Sequence, residues 1–426
     1  MSITRREFLS ATAAGLAIPA MATTPLAGMA AEAGKLPRVA FLGTEVRRHS
    51  HAQHFLDRMT QGYAWAGKWQ HPRVEVASVY IDQFPDGDLG RQRIKKHGLK
   101  AFESIADALT LGGDRLAVDG VVIIAEHGDY PTNDKGQKRY PRYDWFKQVV
   151  RVFEKTGTSV PVFNDKHLST VWSECEEMVS DARRLRFPFL AGSSLPVTVR
   201  FPSIDMPYDA DLKESVCVAY GGVDSYDIHA LETAQCMSER RRGGEVGVKS
   251  VHALRGPAVW DHLDGKDRQI TRDLIAAALT RSHNLPVEGG FPAAPVSYQW
   301  AKETFPNTVA YLIEHLDGFR TTMLLTQIQD FNYAGYLSSG EIISCQMYLP
   351  MPTHGSTTAD FFNPLTRHIE DLVIHRRANY PVERTLLCSG MVIAGVDSLH
   401  DGQKKVDTPH LDVAYRGPKE SQFWRV

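Results

Sequence analysis

Cysteine is scarce in this sequence. There are five in 426 residues, Cys175, Cys217, Cys236, Cys345 and Cys388, an odd number, far apart and without a C-x-x-C pair. That excludes a disulfide framework and a thiolate zinc site as the basis of the fold. An excess of either charge is also lacking, with 48 Lys and Arg against 50 Asp and Glu and a formal net charge of -2. Such a balance leaves no global footprint for nucleic acid or an anionic membrane, so neither is an expected partner. Apolar runs of membrane-spanning length are missing, and the first apolar stretch, 10–21, is short and rich in Ala and Thr. No internal repeat or low-complexity tract is present beyond that stretch.

What is present begins with an address. Ser2-Ile3-Thr4-Arg5-Arg6-Glu7-Phe8-Leu9 is a twin-arginine box, followed by the apolar stretch and by small-residue sites near Ala30 and Ala33. Residues 1–33 are therefore expected to be a twin-arginine signal peptide, and the mature protein to be exported already folded, to work in the periplasm and to carry no membrane anchor. The remainder, 43% hydrophobic and 23% charged over the whole chain, has an ordinary globular balance and length enough for two domains.

From residue 38 onward, short apolar runs alternate with amphipathic stretches. Strands are expected over 39–42, 74–81, 118–125, 160–163 and 189–191, and helices over 51–69, 90–97, 102–109, 143–156 and 168–185. That alternation predicts βαβ units and a parallel sheet over 36–195. After about residue 196 the texture changes to strand-like runs joined by Gly-rich turns, at 216–219, 246–253, 308–313, 321–325 and 341–349. Helical segments interrupt them at 225–237, 268–279 and 364–378, and a last amphipathic helix is expected over 384–399. The fold class is thus α/β, a Rossmann-type parallel-sheet domain followed over 196–426 by an α/β domain on an open, mostly antiparallel sheet.

In a parallel α/β sheet, ligands bind at the carboxyl ends of the strands. That rule gathers Glu45 to His54 after the first strand, Glu126, His127 and Asp129 after the third, and Asp165, Lys166 and His167 after the fourth. A lysine partly removed from water beside Asp165 can hold a substrate hydroxyl or pass its proton, and a histidine such as His229 can serve as its partner near neutral pH. His49, His51 and His54 form H-x-H-x-x-H, a spacing used by metallo-β-lactamase-like hydrolases, although the βαβ pattern opposes that architecture. A divalent metal held by His51 or His54 with Glu126, His127, Asp165 or His167 stays open as an alternative, as does simple hydroxyl binding or helix capping by the histidines. Arg47 and Arg48 are either phosphate contacts or solvated. The loop over 128–145, rich in Tyr and basic residues, suits a carbohydrate lid or is a plain surface excursion. His354 sits on a later loop and reads best as a surface histidine.

Several segments together resemble the Gfo/Idh/MocA oxidoreductase family. RVAFLG at 38–43 matches its first strand and VEVASVYID at 74–82 its second, ending in the acidic Asp82 that would meet an adenosine ribose. PVFNDKHL at 161–168 resembles the family's Glu-Lys-Pro segment, and GGVDSYDIHALE at 221–232 resembles the signature that opens its second domain. Of the G-x-G-x-x-G glycines only Gly43 is present, with Glu45 and Arg48 at the other two positions. The resemblance implies bound NAD or NADP, with Gly43, Glu45, Asp82, Glu126 and His127 lining its site. It places Lys166 and His229 in the chemistry, flanked by Asp165 and His167. The expected function is oxidation of a sugar or glycoside hydroxyl by an exported oxidoreductase with a small-molecule carbohydrate substrate, assembled as a homo-oligomer through its C-terminal sheet. Two alternatives remain at this level: a metal-assisted hydrolase or lyase on the same scaffold, and a non-catalytic carbohydrate-binding protein.

Overall fold

The computed structural model describes residues 35–286, 295–350 and 358–423. Residues 1–33, expected to be a signal peptide, and His354 lie outside these residues. The first half alternates as its sequence predicts: β1 (Arg38–Gly43), α1 (His51–Gln61), the hairpin β2 (Tyr63–Trp65) and β3 (Lys68–Gln70), β4 (Glu75–Ile81), α2 (Gly90–His97), α3 (Ile105–Thr110), β5 (Gly120–Ile124), α4 (Arg142–Thr156), β6 (Val162–Asp165), α5 (Trp172–Arg184) and β7 (Phe189–Gly192). All pairings in its five-stranded sheet, β4-β1-β5-β6-β7, are parallel. The central strand β5, GVVII, is buried at every residue, because helices cover both faces and a continuous apolar run costs nothing there.

One expectation fails in this half for a local reason. The helix predicted over 51–69 stops at Gln61, because Gly62 takes φ +102 in a position where a Cβ would stand 2.5 Å from the Gln70 carbonyl oxygen. Only glycine fits so close a return, and the chain turns back as the β2–β3 hairpin.

The second half contains β8 (Arg200–Phe201), β9 (Leu212–Tyr220), α6 (Asp227–Ser238), β10 (Val248–Arg255), α7 (Pro257–Leu263), α8 (Gln269–Leu279), α9 (Tyr298–Thr304), β11 (Val309–His315), β12 (Arg320–Thr326), β13 (Phe331–Leu337), β14 (Ile342–Met347), α10 (Phe362–His375), α11 (Glu383–His400) and β15 (Val406–Asp407). Its eight-stranded sheet runs β15-β10-β11-β12-β9-β13-β14-β8. Every pairing is antiparallel except β12 with β9. The sheet is thus the mostly antiparallel one expected.

The sequence pattern misses β13, and it misreads α11. Helix α11 is buried on all sides rather than amphipathic, since it packs at once against α5, α6 and β10. From that position its Ser389 hydroxyl accepts from the Leu168 amide at 3.0 Å, and its Thr385 hydroxyl donates to the Ala191 carbonyl at 2.8 Å. Helix α10 returns to α1, where Arg58 Nε donates to Asn363 Oδ1 at 2.7 Å. The last third of the chain therefore holds the carboxyl ends of the parallel strands in place.

Candidate functional site

Strand β1 has β4 on one side and β5 on the other, and the connections depart in opposite directions from it. This is the switch point at which a crevice opens beyond the strand ends. Thr44 to Ser50 leave β1 there, Glu126 and His127 leave β5, and Asp165 to His167 leave β6. The Thr44 hydroxyl donates to the Glu126 carbonyl at 2.6 Å, tying the first two exits together. His127 and Lys166 both take left-handed backbone, at φ 72° and 65°. Strain of this kind costs roughly 1–3 kcal/mol per residue and persists only where the surroundings impose it.

The side chains converge on a nearly sealed polar cluster, with Glu126 8%, Asp165 1%, Lys166 5%, His167 3% and His229 5% exposed. Lys166 Nζ stands 2.8 Å from Glu126 Oε1, and Arg142 lies 3.7 Å from the other Glu126 oxygen. Arg142 also reaches His167 Nε2 at 3.1 Å. His51, the first residue of α1, places Nδ1 2.7 Å from Asp165 Oδ2. The His51 ring lies 5.9 Å from that of His127 and 6.3 Å from that of His229. His229 arrives on α6, behind a turn where Gly221 at φ +105 is needed because a Cβ would meet the Tyr226 ring at 2.3 Å.

The structure thus brings Lys166, Asp165, Glu126, His127, His51 and His229 together. It does not bring in His54, whose ring stacks on Phe362 at 4.7 Å, nor leave His167 free, since Arg142 faces it. Of the metal ligands read from the sequence, the structure gathers donor atoms of His51, Glu126 and Asp165 within 4.8 Å of one another and leaves His54 out. The charge-bearing residue that sequence reasoning overlooked is Arg142. It counted there among the basic residues of the 128–145 loop, and burial at the start of α4 gives no signal in a single sequence.

Electrostatics sort the cluster into charged and neutral members. Burial would raise the Glu126 carboxyl, but the Lys166 ammonium, with Arg142 beyond it, holds it well below the usual range. Burial, then the Lys166 and His51 charges, push His229 well below the ordinary imidazole value. His127 falls to about 3, chiefly by burial, and so does His54, by burial and Arg58. His167 is lowered in the same direction by burial and Arg142. These four imidazoles are neutral in the fold yet titrate near 6.5 once unfolded, so their contribution is complete above pH 6.5 and is lost as pH falls below it. Asp227 opposes them, raised by burial to about 7, so its neutral form favours the fold at acid pH. Elsewhere among the described residues His97, His262 and His368 are lowered too and Asp224, Glu232 and Glu370 are raised, so seven imidazoles stand against four carboxyls between pH 6.5 and 5, and the unfolding midpoint should drop over that interval. His54→Asn should flatten the stability slope by up to about 1.4 kcal/mol per pH unit, read by denaturant unfolding at pH 7.0, 6.0 and 5.0.

A dinucleotide can be tested against the same crevice. At its nicotinamide end, His229 Nδ1 and Asp165 Oδ1 are buried without a hydrogen-bond partner, which is capacity left for a ligand. At the pyrophosphate position, Glu45 is paired with Arg47 at 2.5 Å, which cancels the repulsion expected of a carboxylate there. Helix α1 begins beside it, capped by Ser50 Oγ accepting from the Gln53 amide. At the adenosine end, Asp82 is already engaged: Tyr80 donates to one oxygen at 2.8 Å and Tyr130 to the other at 2.6 Å. The 128–145 loop that carries Tyr130 is also pinned by the Lys138 amide to Asp224 at 2.8 Å and by Lys135 to Asp397 at 2.6 Å. The residues fit a dinucleotide provided that Tyr130 gives up Asp82.

No family model matches the chain, and no curated protein matches it in sequence. Solved structures do match in fold. GenD2 from gentamicin A biosynthesis, in complex with NAD, is 12% identical with a TM-score of 0.54, covering 90% of this chain and 99% of its own. A probable dehydrogenase from Thermotoga maritima is 11% identical with a TM-score of 0.53, over 88% and 99%. Myo-inositol dehydrogenase from Lactobacillus casei, in complex with NAD(H) and myo-inositol, is 10% identical with a TM-score of 0.51, over 87% and 96%. The likeness extends over nearly the whole described chain and is one of architecture.

Proposed function

We propose that this protein is an oxidoreductase that oxidises a hydroxyl of a sugar or related polyol, using NAD or NADP held across the switch point of the parallel sheet. The observation that carries the reading is the buried Lys166–Glu126 pair at the strand ends, with the unpartnered Nδ1 of His229 facing the same cluster from the second sheet's first helix. Support comes also from the fold, shared with dehydrogenases whose structures hold NAD and, in one case, myo-inositol.

In this arrangement the cofactor supplies a hydride acceptor. The chain supplies the rest. The Lys166 ammonium donates to the substrate oxygen and stabilises the negative charge that develops on it, while Glu126 and Arg142 fix the ammonium's position. His229, held neutral by burial, accepts the hydroxyl proton at Nδ1. The sealed setting strengthens both interactions, because little water screens them. Residues 36–195 act as the dinucleotide-binding domain and 196–426 as the substrate domain, with pairing between copies through the C-terminal sheet.

The twin-arginine box supports a site of action outside the cytoplasm, where no free nicotinamide pool exists. The cofactor is then loaded before export and stays bound, and the hydride returns to the product within each cycle.

Purified, folded, full-length protein should release NAD(H) or NADP(H) on denaturation, detected by mass spectrometry, or bind it by calorimetry. Neither release nor binding would end the reading. Tyr130→Phe frees one Asp82 oxygen, so NAD+ affinity should rise about 3- to 10-fold, the worth of one hydrogen bond of roughly 0.5–1.5 kcal/mol. An unchanged affinity would mean that the adenosine does not use Asp82.

A further inference from the structure

The exits of β1, β5 and β6 assemble a second kind of chemistry. His51, Glu126 and Asp165 come from three separate segments, and each offers a donor atom such that the three atoms lie within 4.8 Å of one another. One imidazole with two carboxylates is a donor set for a divalent transition metal, in which nitrogen and hard oxygen ligands combine. The residues do not merely cluster. Asp165 Oδ1 and the Nδ1 atoms of His127 and His229 are buried with no hydrogen-bond partner, and both imidazole rings lie within 6.3 Å of the His51 ring. An unsatisfied buried polar atom costs about 1–3 kcal/mol, and a cation that takes up such lone pairs removes that cost.

The local charges set the terms of entry. Glu126 and Asp165 bring two negative charges, but Lys166 at 2.8 Å already occupies one Glu126 oxygen. A dication must displace that ammonium. Lys166 would keep a partner on leaving Glu126, since its Nζ already stands 3.4 Å from the Ser225 carbonyl oxygen and 5.9 Å from the centre of the Tyr226 ring. Arg142, 3.7 Å from Glu126, stays behind and orients the carboxylate from outside.

We propose that His51, Glu126 and Asp165 bind one divalent transition-metal ion at the switch point, with His229 the next imidazole available to it. The proposal goes beyond hydride transfer and describes a metal-bound state in which Lys166 has left Glu126, distinct from the state that carries the hydride chemistry, and metal content and nucleotide content are separate measurements.

The test uses untagged, full-length protein. Elemental analysis as purified, followed by chelator dialysis and calorimetric titration with ZnCl2 and with MnCl2, should find about one equivalent bound. His51→Asn and Asp165→Asn, checked for folding by circular dichroism, should each weaken binding about 100-fold or more, while His71→Asn, an exposed histidine outside the cluster, should leave it unchanged. Wild-type protein that neither contains nor takes up metal would overturn the proposal. So would metal binding that survives both substitutions.

Discussion

Lys166→Met should lower turnover by roughly 10²- to 10⁴-fold with little change in substrate affinity, if the ammonium acts on charge that develops during the reaction. Methionine keeps the length of the side chain and loses the three donors. The complication is stability. Glu126 would lose its 2.8 Å partner and keep Arg142 at 3.7 Å, so a buried carboxylate would be left under-compensated. A second substitution separates the two effects. In Glu126→Gln/Lys166→Met the under-compensated carboxylate is gone and stability should recover in part, buried Arg142 having lost its 3.7 Å partner, whereas turnover should remain at the single-variant level. If the double variant regained activity along with stability, Lys166 would be a structural ion-pair member and nothing more. The measurements are steady-state rates with a polyol such as myo-inositol and NAD+, set beside denaturant unfolding of the same samples.

That design depends on a contact the sequence could not supply. The strand ends were legible because period and punctuation are local: VAFLG and GVVII are apolar runs closed by polar residues, and the switch-point rule then names the residues that follow them. Lys166, Asp165, Glu126 and His127 were found that way. Which of them pair was not legible, because Lys166 and Glu126 are forty residues apart and meet through a register between β5 and β6. His51 shows the same limit from the other side. The H-x-H-x-x-H spacing suggests that His51 and His54 act together, and at i and i+3 on α1 both rings do reach Phe362, at 4.9 and 4.7 Å, but their polar surroundings differ. His51 turns to Asp165, while His54 lies flat on Phe362 from α10. A spacing that reads as a ligand set in sequence becomes, in the helix, one ligand candidate and one packing residue.

The fold itself was legible where packing agrees with local pattern and obscure where packing overrides it. The parallel half alternates cleanly because each strand is covered on both faces. Strand β13, FNYAGYL, has few β-branched residues and a glycine at its centre, yet it lies inside the sheet between β9 and β14. Gly335 is required there, since a Cβ would meet the Tyr333 hydroxyl at 2.6 Å and side chains of Leu212 and Met206 at 2.9 Å. A breaker in sequence is a close approach in three dimensions. Helix α11 departs from the amphipathic expectation for a related reason: packing encloses it, and the charged residues it carries are each paired, Glu383 with Arg183, Arg384 with Glu239 and Asp397 with Lys135.

Arg384 is the clearest of them, and its replacement should be the most damaging to stability. The guanidinium is 2% exposed, grips the buried Glu239 carboxylate through two nitrogens, with Nε at 2.8 Å, and lies over the Tyr380 ring at 4.3 Å. Glu239 also accepts from the Tyr415 hydroxyl at 2.9 Å. Arg384→Met should cost about 3–5 kcal/mol at pH 7, because the larger penalty is the unpaired carboxylate left behind rather than the attraction lost. Glu239→Met should cost a similar amount for the mirrored reason, and Glu239→Met/Arg384→Met should be less destabilised than either single change. Denaturant unfolding of the four proteins closes the cycle, and simple additivity of the single costs would refute the coupling. The consequence reaches the site. Thr385 and Ser389, within two turns of Arg384, hold the Ala191 carbonyl and the Leu168 amide beside Lys166. A loosened α11 would therefore move the backbone on which the left-handed Lys166 depends, and Arg384→Met should reduce turnover even under conditions where the protein remains folded.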